Sequence, residues 1–250
     1  MNRIKSKLKE SNKLLSIYFT AGFPDLNNTK SVIEILEKSG VGMIEIGMPF
    51  SDPLADGPTI QASGTRALQN GMTTDLLFSQ LQGIRDSVEI PLLIMGYFNP
   101  ILQYGVEDFC RKCEEVGIDG LIVPDLPVDV YHEKYEQIFK KFNLINVLLI
   151  TPQTPKSRIE FIDSISDGFI YMVSSASTTG AKTNIGSDQE KYFDNISEMH
   201  LKNPQIVGFG ISNRETFQKA TKKAKGAIIG KAMSSLDEKS GLVFILVTLQ

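Results

Sequence analysis

Eight short apolar runs recur along the chain, and each is followed by a longer stretch with a different apolar period. The runs are almost continuous in isoleucine, leucine and valine, as in parallel strands that are buried on both faces. The longer stretches repeat apolar residues every three or four positions, which is typical of helices with one buried face. The predicted strands comprise residues 14–19, 43–47, 91–96, 120–123, 147–150, 169–173, 205–208 and 226–229.

The predicted helices follow these strands through short connections, and a short amphipathic segment precedes the first strand. Eight strand–helix units in a chain of 250 residues are typical of a (β/α)8 barrel, or TIM barrel. An open doubly wound sheet is the alternative, and it requires a reversal of strand order. No interior linker is evident, so we expect residues 1–250 to form a single α/β barrel domain with a short N-terminal helix. The predicted helices comprise residues 28–39, 59–70, 74–87, 106–116, 131–142, 157–165, 188–200 and 213–223, and a final helix follows the eighth strand.

The composition is that of an ordinary soluble globular protein, with 42% hydrophobic and 22% charged residues. A formal net charge of −3 argues against a nucleic-acid partner or an anionic membrane surface. No apolar run is long enough to span a bilayer, and the polar start of the chain lacks the apolar core of a signal peptide. We therefore expect a cytoplasmic enzyme.

The two cysteines, Cys110 and Cys113, have the spacing of a redox motif or of half a zinc site. No second cysteine pair exists to complete a metal site, and the two histidines are distant from each other in sequence. Phe109, Cys113 and Val116 fall on one stripe of a predicted helix. Packing in or beside the core is therefore the expected role of the cysteines, and redox chemistry is the alternative.

A carboxylate lies within the second predicted strand, where Glu45 stands between Ile44 and Ile46. Side chains alternate along a strand, so Met43 and Glu45 share one face and the isoleucines share the other. Burial raises the pKa of such a glutamate toward neutrality, whereas Asp56 on the following loop is expected to lie in a wetter place and stay ionised. General acid–base chemistry needs such a pair. The alternative is that Glu45 is a structural carboxylate paired with an arginine or lysine.

The loops that follow the strands carry the residues expected at the mouth of a barrel, since active sites lie at the carboxyl ends of the strands. Residues 208–212 after strand seven contain two glycines, and Gly230 and Lys231 follow strand eight. Together with Gly180 after strand six, their backbone amides are expected to bind a phosphate. Glycines that serve only tight turns are the alternative.

Several other polar side chains near the strand ends have two interpretations each. Tyr18, Tyr97 and Tyr171 either direct a hydroxyl into the barrel or pack as ordinary aromatics. Asp125 after strand four is either functional or a loop cap. Thr179, in the long loop after strand six, is expected to orient the loop aspartate if its own loop folds over the site as a lid.

Four stretches of the sequence are distinctive enough to compare with known families: YFTAGFPD at 18–25, IEIGMPFSDPLADGPTIQ at 44–61, GLIVPDLP at 120–127 and GFGIS at 208–212. On these motifs the chain resembles the α-subunit family of tryptophan synthase from about residue 14 to about residue 233. The second motif is the most specific of the four. The resemblance implies a lyase of L-tryptophan biosynthesis that cleaves indole-3-glycerol phosphate, in an aldol-type reaction, to indole and glyceraldehyde 3-phosphate.

The resemblance also implies a role for each candidate residue. Glu45 protonates the indole carbon that is released and takes the proton of the glycerol hydroxyl. Asp56 holds and polarises the indole N–H, and Tyr171 supports the glycerol end. The expected substrate- and phosphate-binding residues are Tyr18, Tyr97, Thr179, Gly180, Phe209, Gly210, Gly230 and Lys231.

The same family pairs with a β subunit that uses pyridoxal phosphate (PLP) and receives the indole through a tunnel. The resemblance therefore implies a hetero-tetramer of α2β2 type, in which the loop around Asp52 and Pro53 faces the partner. It implies no metal and no organic cofactor in this subunit.

Three features depart from the family pattern. Ser175 and Ser177 stand where an arginine and a glycine are common, and Lys231 stands where a phosphate-binding serine is usual. The end of the chain, residues 241–250, is short and very apolar for a last helix. The departures at Ser175 and Ser177 keep one alternative open, a catalytically silent subunit that activates its partner by binding. Another phosphate-binding barrel, such as an epimerase or a phosphoribosyl isomerase, is a further alternative.

Overall fold

Eight parallel strands form the centre of the fold in the computed structural model, which describes residues 1–11, 13–174, 187–208, 210–211 and 214–230. The strands are Leu14–Thr20 (β1), Met43–Gly47 (β2), Leu92–Met95 (β3), Gly120–Ile122 (β4), Ile145–Ile150 (β5), Ile170–Val173 (β6), Gln205–Gly208 (β7) and Gly226–Ile229 (β8). They pair in chain order, and β8 pairs with β1, so the sheet closes into a barrel. The barrel prediction is confirmed, and the open doubly wound alternative is wrong because it leaves two unpaired edges.

Helices surround the barrel, and one precedes it. None of the described helices is long and apolar enough to cross a membrane. The helices are Arg3–Glu10 (α1), Thr29–Lys38 (α2), Pro58–Gln69 (α3), Thr74–Leu81 (α4), Phe98–Tyr104 (α5), Val106–Val116 (α6), Val128–Val130 (α7), Glu136–Lys141 (α8), Lys156–Ile165 (α9), Ser187–Glu198 (α10) and Arg214–Ala220 (α11).

The helices differ from the predicted ones in a few places. The helix predicted over 74–87 ends at Leu81, because Gln82 is extended with a ψ of 132°, and Gly83, with a left-handed φ of 67°, then leads into a 3-10 turn. The helix predicted over 131–142 opens with the short α7 and a π-helical turn at Tyr131–Tyr135. The sequence did not predict α5, and the final helix expected after residue 230 lies outside the described residues.

The two faces of each strand bury different parts of the core, because successive side chains point in opposite directions. Met43, Leu93 and Val147 belong to the cluster inside the barrel. Ile44 and Ile46 belong to the larger cluster between the barrel and its helices. The alternation therefore puts Glu45 inside the barrel, on the face that it was predicted to share with Met43.

The N-terminal helix α1 closes the end of the barrel where the strands begin. Ile4 and Leu8 of this helix join the interior cluster. Asn2 caps the helix, because its Oδ1 accepts from the Ile4 amide at 2.9 Å. Its Nδ2 donates to the carbonyl oxygens of Asp119 and Asn143, each at 2.8 Å, and these residues precede β4 and β5. The opposite end, at the carboxyl ends of the strands, is left as the mouth.

A buried carboxylate stabilises the closed end. Asp119 accepts hydrogen bonds from Arg85 Nη2 at 2.6 Å, from Arg3 Nη1 at 3.0 Å and from the Leu92 amide at 3.0 Å. Arg85 also donates to the carbonyl of Gly117 at 2.8 Å. This network joins the segments before β3 and β4 to α1. It lies at the end of the barrel opposite the mouth, where contacts serve stability and not catalysis.

The cysteines pack in the core as predicted. Cys110 and Cys113 are unpaired and buried on α6, beside the fully buried Phe109. Burial raises the pKa of Cys110 to about 12 and also raises that of Cys113, so the reactive thiolate is disfavoured at both. Redox chemistry at this pair therefore has no support in the described part of the chain.

Candidate active site

Glu45 is a fully buried carboxyl group on the inner face of β2. Ser16 of β1 donates a hydrogen bond to its Oε1 at 2.9 Å, and Oε2 has no hydrogen-bond partner among the described residues. Burial raises the pKa of Glu45 to about 8, and the bond from Ser16 partly opposes that shift. None of the ion pairs within the described ranges includes Glu45, so the alternative of a partner arginine or lysine finds no support.

Asp56 lies on the loop after β2 and is less solvated than the sequence suggested. Tyr97 donates a hydrogen bond from its hydroxyl to Asp56 Oδ2 at 2.9 Å, and the same hydroxyl accepts from the Ala55 amide at 2.9 Å. Partial burial raises the pKa of Asp56, while the bond from Tyr97 lowers it. The expectation of a wet, simply ionised carboxylate therefore needs correction. Thr179, the residue expected to orient it, lies outside the described residues.

Two tyrosine side chains each pack against a glycine of the neighbouring strand, Tyr18 of β1 against Gly47 of β2 and Tyr171 of β6 against Gly208 of β7. A Cβ on Gly47 would overlap the hydroxyl of Tyr18, and a Cβ on Gly208 would overlap that of Tyr171. Burial is the main cause that raises the pKa of Tyr171, and the negative charges of Glu45 and Asp56 raise it further. The structure thus brings the two predicted carboxylates and both tyrosines into one electrostatic neighbourhood.

The glycines predicted to bind phosphate lie at the same end of the barrel. Gly230 follows β8, and a Cβ there would lie 3.6 Å from the Cβ of Tyr18. Gly210 follows β7 with a φ of +73°, near Ser174 at the end of β6. Gln189 of α10 donates to the Ser174 carbonyl at 3.1 Å and so links the start of α10 to the end of β6. The remaining predicted members, Gly180, Phe209 and Lys231, lie outside the described residues.

The loop that bears Asp56 also presents an exposed tip. Asp52 is exposed and accepts a hydrogen bond from Ser51, Pro53 is half-buried, and Leu54 is 88% exposed. The ring of Phe50 packs on Tyr97 with centroids 5.2 Å apart. The base of the loop is therefore fixed against the barrel while its tip faces solvent.

Sequence reasoning missed one polar residue of the site and left another undecided. Ser16 was missed, although it lies two residues before Tyr18 and therefore on the same face of β1. Asp125 proves to be a cap, because its Oδ1 accepts from the Phe98 amide at the start of α5 at 2.9 Å. In the described ranges, no group of three or more histidine, cysteine, aspartate or glutamate residues has the arrangement of a metal site.

Comparisons with known proteins concern the whole sequence and the fold. The chain matches the family model described as tryptophan synthase alpha chain over residues 4–240. The tryptophan synthase alpha chain of Flavobacterium johnsoniae is 68% identical over 241 residues, which cover 96% of this chain and 95% of that relative. The crystal structure of tryptophan synthase subunit alpha from Legionella pneumophila has a TM-score of 0.88 at 32% identity, covering 100% of this chain and 97% of that one. A chain of the tryptophan synthase complex from Pyrococcus furiosus has a TM-score of 0.85 at 32% identity and covers 96% of both chains.

The sequence match and the fold match thus indicate the same family. The motifs around Glu45 and Asp56 lie within the matched residues, and the barrel is covered almost from end to end. The chain therefore belongs to the tryptophan synthase alpha chain family, the lyases that cleave indole-3-glycerol phosphate.

Proposed function

We propose that Glu45 and Asp56 perform the acid–base chemistry with which this chain cleaves indole-3-glycerol phosphate. The observation that carries the assignment is the environment of Glu45, which is buried with a pKa raised to about 8 and with one oxygen unpaired among the described residues. A carboxyl group with that pKa is mostly protonated at neutral pH and can donate its proton. Cleavage needs such an acid, because the indole carbon must gain a proton before its bond to the glycerol chain breaks.

The reaction then follows from the two carboxyl groups. Glu45 donates its proton to the indole carbon that bears the glycerol chain, and the ring nitrogen takes up the positive charge. Asp56 accepts a hydrogen bond from the ring N–H and stabilises that charge. The Glu45 carboxylate next removes the proton of the adjacent glycerol hydroxyl. The carbon–carbon bond breaks, its electrons return to the ring, and the hydroxyl carbon becomes the aldehyde of glyceraldehyde 3-phosphate, so Glu45 ends protonated as it began.

The remaining site residues are assigned to binding. Tyr171 is proposed to support the glycerol end, since it lies in the electrostatic neighbourhood of both carboxylates. Gly210 and Gly230 are proposed to present backbone amides to the phosphate, with Tyr18 and Tyr97 lining the mouth between them and the indole site. The proposed roles of Thr179, Gly180, Phe209 and Lys231 rest on the family resemblance alone.

We also propose that the indole passes to a PLP-dependent β subunit in an α2β2 hetero-tetramer. The loop tip around Asp52 and Pro53 is the proposed contact, and its exposed Leu54 supports that role because a solvated leucine gains from burial. In this family PLP belongs to the beta partner. On this proposal the chain holds no metal or organic cofactor, forms a single domain over residues 1–250 and acts in the cytoplasm.

The deciding experiment measures indole release from indole-3-glycerol phosphate by the isolated chain and then with a β-type subunit added. We expect slow release that rises sharply with the partner. Glu45→Gln keeps the shape of the side chain but removes the acid, so it is expected to lower release by about a hundredfold or more while partner binding persists. Near-full activity of Glu45→Gln contradicts the assignment of the acid. No release by folded wild-type protein, with or without partner, favours a silent binding subunit or another phosphate substrate.

A further inference from the structure

The two oxygens of the Glu45 carboxyl group lie in different surroundings. Ser16 Oγ donates to Oε1 at 2.9 Å, and both residues are fully buried. Oε2 has no hydrogen-bond partner in the described part of the chain. Burying a hydroxyl group or a carboxyl group inside an apolar barrel is unfavourable unless each finds a partner. The hydroxyl group of Ser16 and Oε1 of Glu45 are therefore each other's hydrogen-bond partners.

The strand register shows on which side of Glu45 this bond lies. In the pairing of β1 with β2, Tyr18 is opposite Glu45 and Ser16 is opposite Met43. Ser16 therefore lies two residues closer than Glu45 to the barrel end that α1 closes. The bond draws Oε1 toward that closed end, and it leaves Oε2 as the oxygen without a fixed partner.

We infer that Ser16 is a positioning residue for Glu45, which holds Oε1 in place and leaves Oε2 to exchange the proton with the substrate. The inference rests on the proposed function, since it assigns a task to the neighbour of the proposed acid. A carboxyl group held at one oxygen keeps a single orientation, and a fixed orientation of the acid is what a proton transfer to one ring carbon requires.

The other groups that interact with Glu45 do not substitute for Ser16. Tyr18 on β1 and Tyr171 on β6 are neutral phenols whose pKa values burial raises, and the charge of Glu45 raises them further. Asp56, on the loop after β2, is acidic and shares the neighbourhood of both tyrosines. Among the described residues, Ser16 is thus the donor that favours the ionised form of Glu45. Its removal raises the pKa of Glu45.

The test is the pH profile of kcat/KM for indole release by the wild type, Ser16→Ala, Ser16→Thr and Ser16→Val. With Glu45 as the acid, kcat/KM falls as the pH rises through the pKa of that group. Removing the hydroxyl moves this fall upward by about one pH unit in Ser16→Ala and Ser16→Val. Threonine and valine have the same shape, so Ser16→Thr, which keeps the hydroxyl, is expected to retain the wild-type position of the fall.

A matched control removes an equally buried hydroxyl outside the mouth. Ser166 is 3% exposed and donates to the Ile162 carbonyl at 2.7 Å, so Ser166→Ala is expected to leave the pH profile unchanged. If Ser16→Ala does not fold, Ser16→Thr and Ser16→Val are compared instead, and the fall in kcat/KM is expected at higher pH in Ser16→Val. Coincident profiles for the variants with and without the hydroxyl, in an active enzyme, overturn the inference and leave the role of Glu45 intact. No indole release by the wild type overturns the proposed function itself.

Discussion

The hydroxyl group of Tyr97 holds the loop that carries Asp56. The variant Tyr97→Phe therefore measures how much this contact contributes to catalysis. The hydroxyl donates to Asp56 Oδ2 and accepts from the Ala55 amide, both at 2.9 Å. Phenylalanine keeps the ring, so the packing on Phe50 is expected to persist. The substitution therefore removes two hydrogen bonds from adjacent residues of one loop while leaving the apolar contact in place.

The expected loss follows from the kind of bond removed. A hydrogen bond to a charged group contributes about 1.5–3 kcal/mol, and we take about 2 kcal/mol because Asp56 is half-buried. At about 1.4 kcal/mol per tenfold change, kcat/KM for indole release falls about 30-fold. The bond from Tyr97 lowers the pKa of Asp56, so its loss raises that pKa and moves the acidic limb of the pH profile to higher pH.

Initial rates of indole formation over a range of pH values test both effects. Tyr192→Phe is the matched control, because its hydroxyl is buried without a hydrogen-bond partner among the described residues. Removing it is expected to leave kcat/KM unchanged and the free energy of unfolding equal or higher. A change in kcat/KM of less than about twofold in Tyr97→Phe, with the acidic limb in place, would refute the reasoning.

Two further predictions concern the rest of the barrel. Asp119→Asn removes the charge that Arg85 and Arg3 share, and it is expected to lower the free energy of unfolding in urea by about 3 kcal/mol, since Arg3 is partly exposed. A decrease of less than about 1 kcal/mol in the free energy of unfolding would show that the Asp119 ion pairs stabilise the fold no more than a surface ion pair does. Cys110 and Cys113 are expected to resist a thiol reagent in the folded protein and to react after denaturation, because burial raises both pKa values. Rapid reaction of the folded protein would contradict that packing.

Much of the fold was predictable because each strand pattern is local. Continuous apolar runs identified the strands, and their alternation assigned Glu45 to the face of Met43. The break after Leu81 was harder to predict, because the apolar periodicity continues across it, while the backbone leaves the helical conformation at Gln82, with a ψ of 132°, and at Gly83, with a left-handed φ of 67°. The helix α5 was missed, since its start depends on the Asp125 carboxylate from the loop after another strand.

Some features of the candidate site were likewise predictable from the sequence, and others depend on contacts between distant segments. Residue type and the alternation of side chains along a strand suggested Glu45, the position of Asp56 on the following loop suggested that residue, and the family motifs implied a role for each. The alternation of side chains also places Ser16 on the same face of β1 as Tyr18. Its hydrogen bond to Glu45 was not predictable in this way, because it joins residues that are 29 positions apart. The bond between Tyr97 and Asp56 spans 41 positions and depends on how two loops fold over the mouth.

The sequence by itself determined the barrel, the strand face that Glu45 shares with Met43 and the end of the barrel at which the candidate residues gather. These properties depend on residue periodicity and on the rule that parallel strands present their carboxyl ends together. Only the tertiary structure decided which oxygen of Glu45 is held, how far Asp56 is withdrawn from water and which tyrosine holds it. Those properties arise from contacts between distant segments, whose distances and burial set the pKa of each carboxyl group.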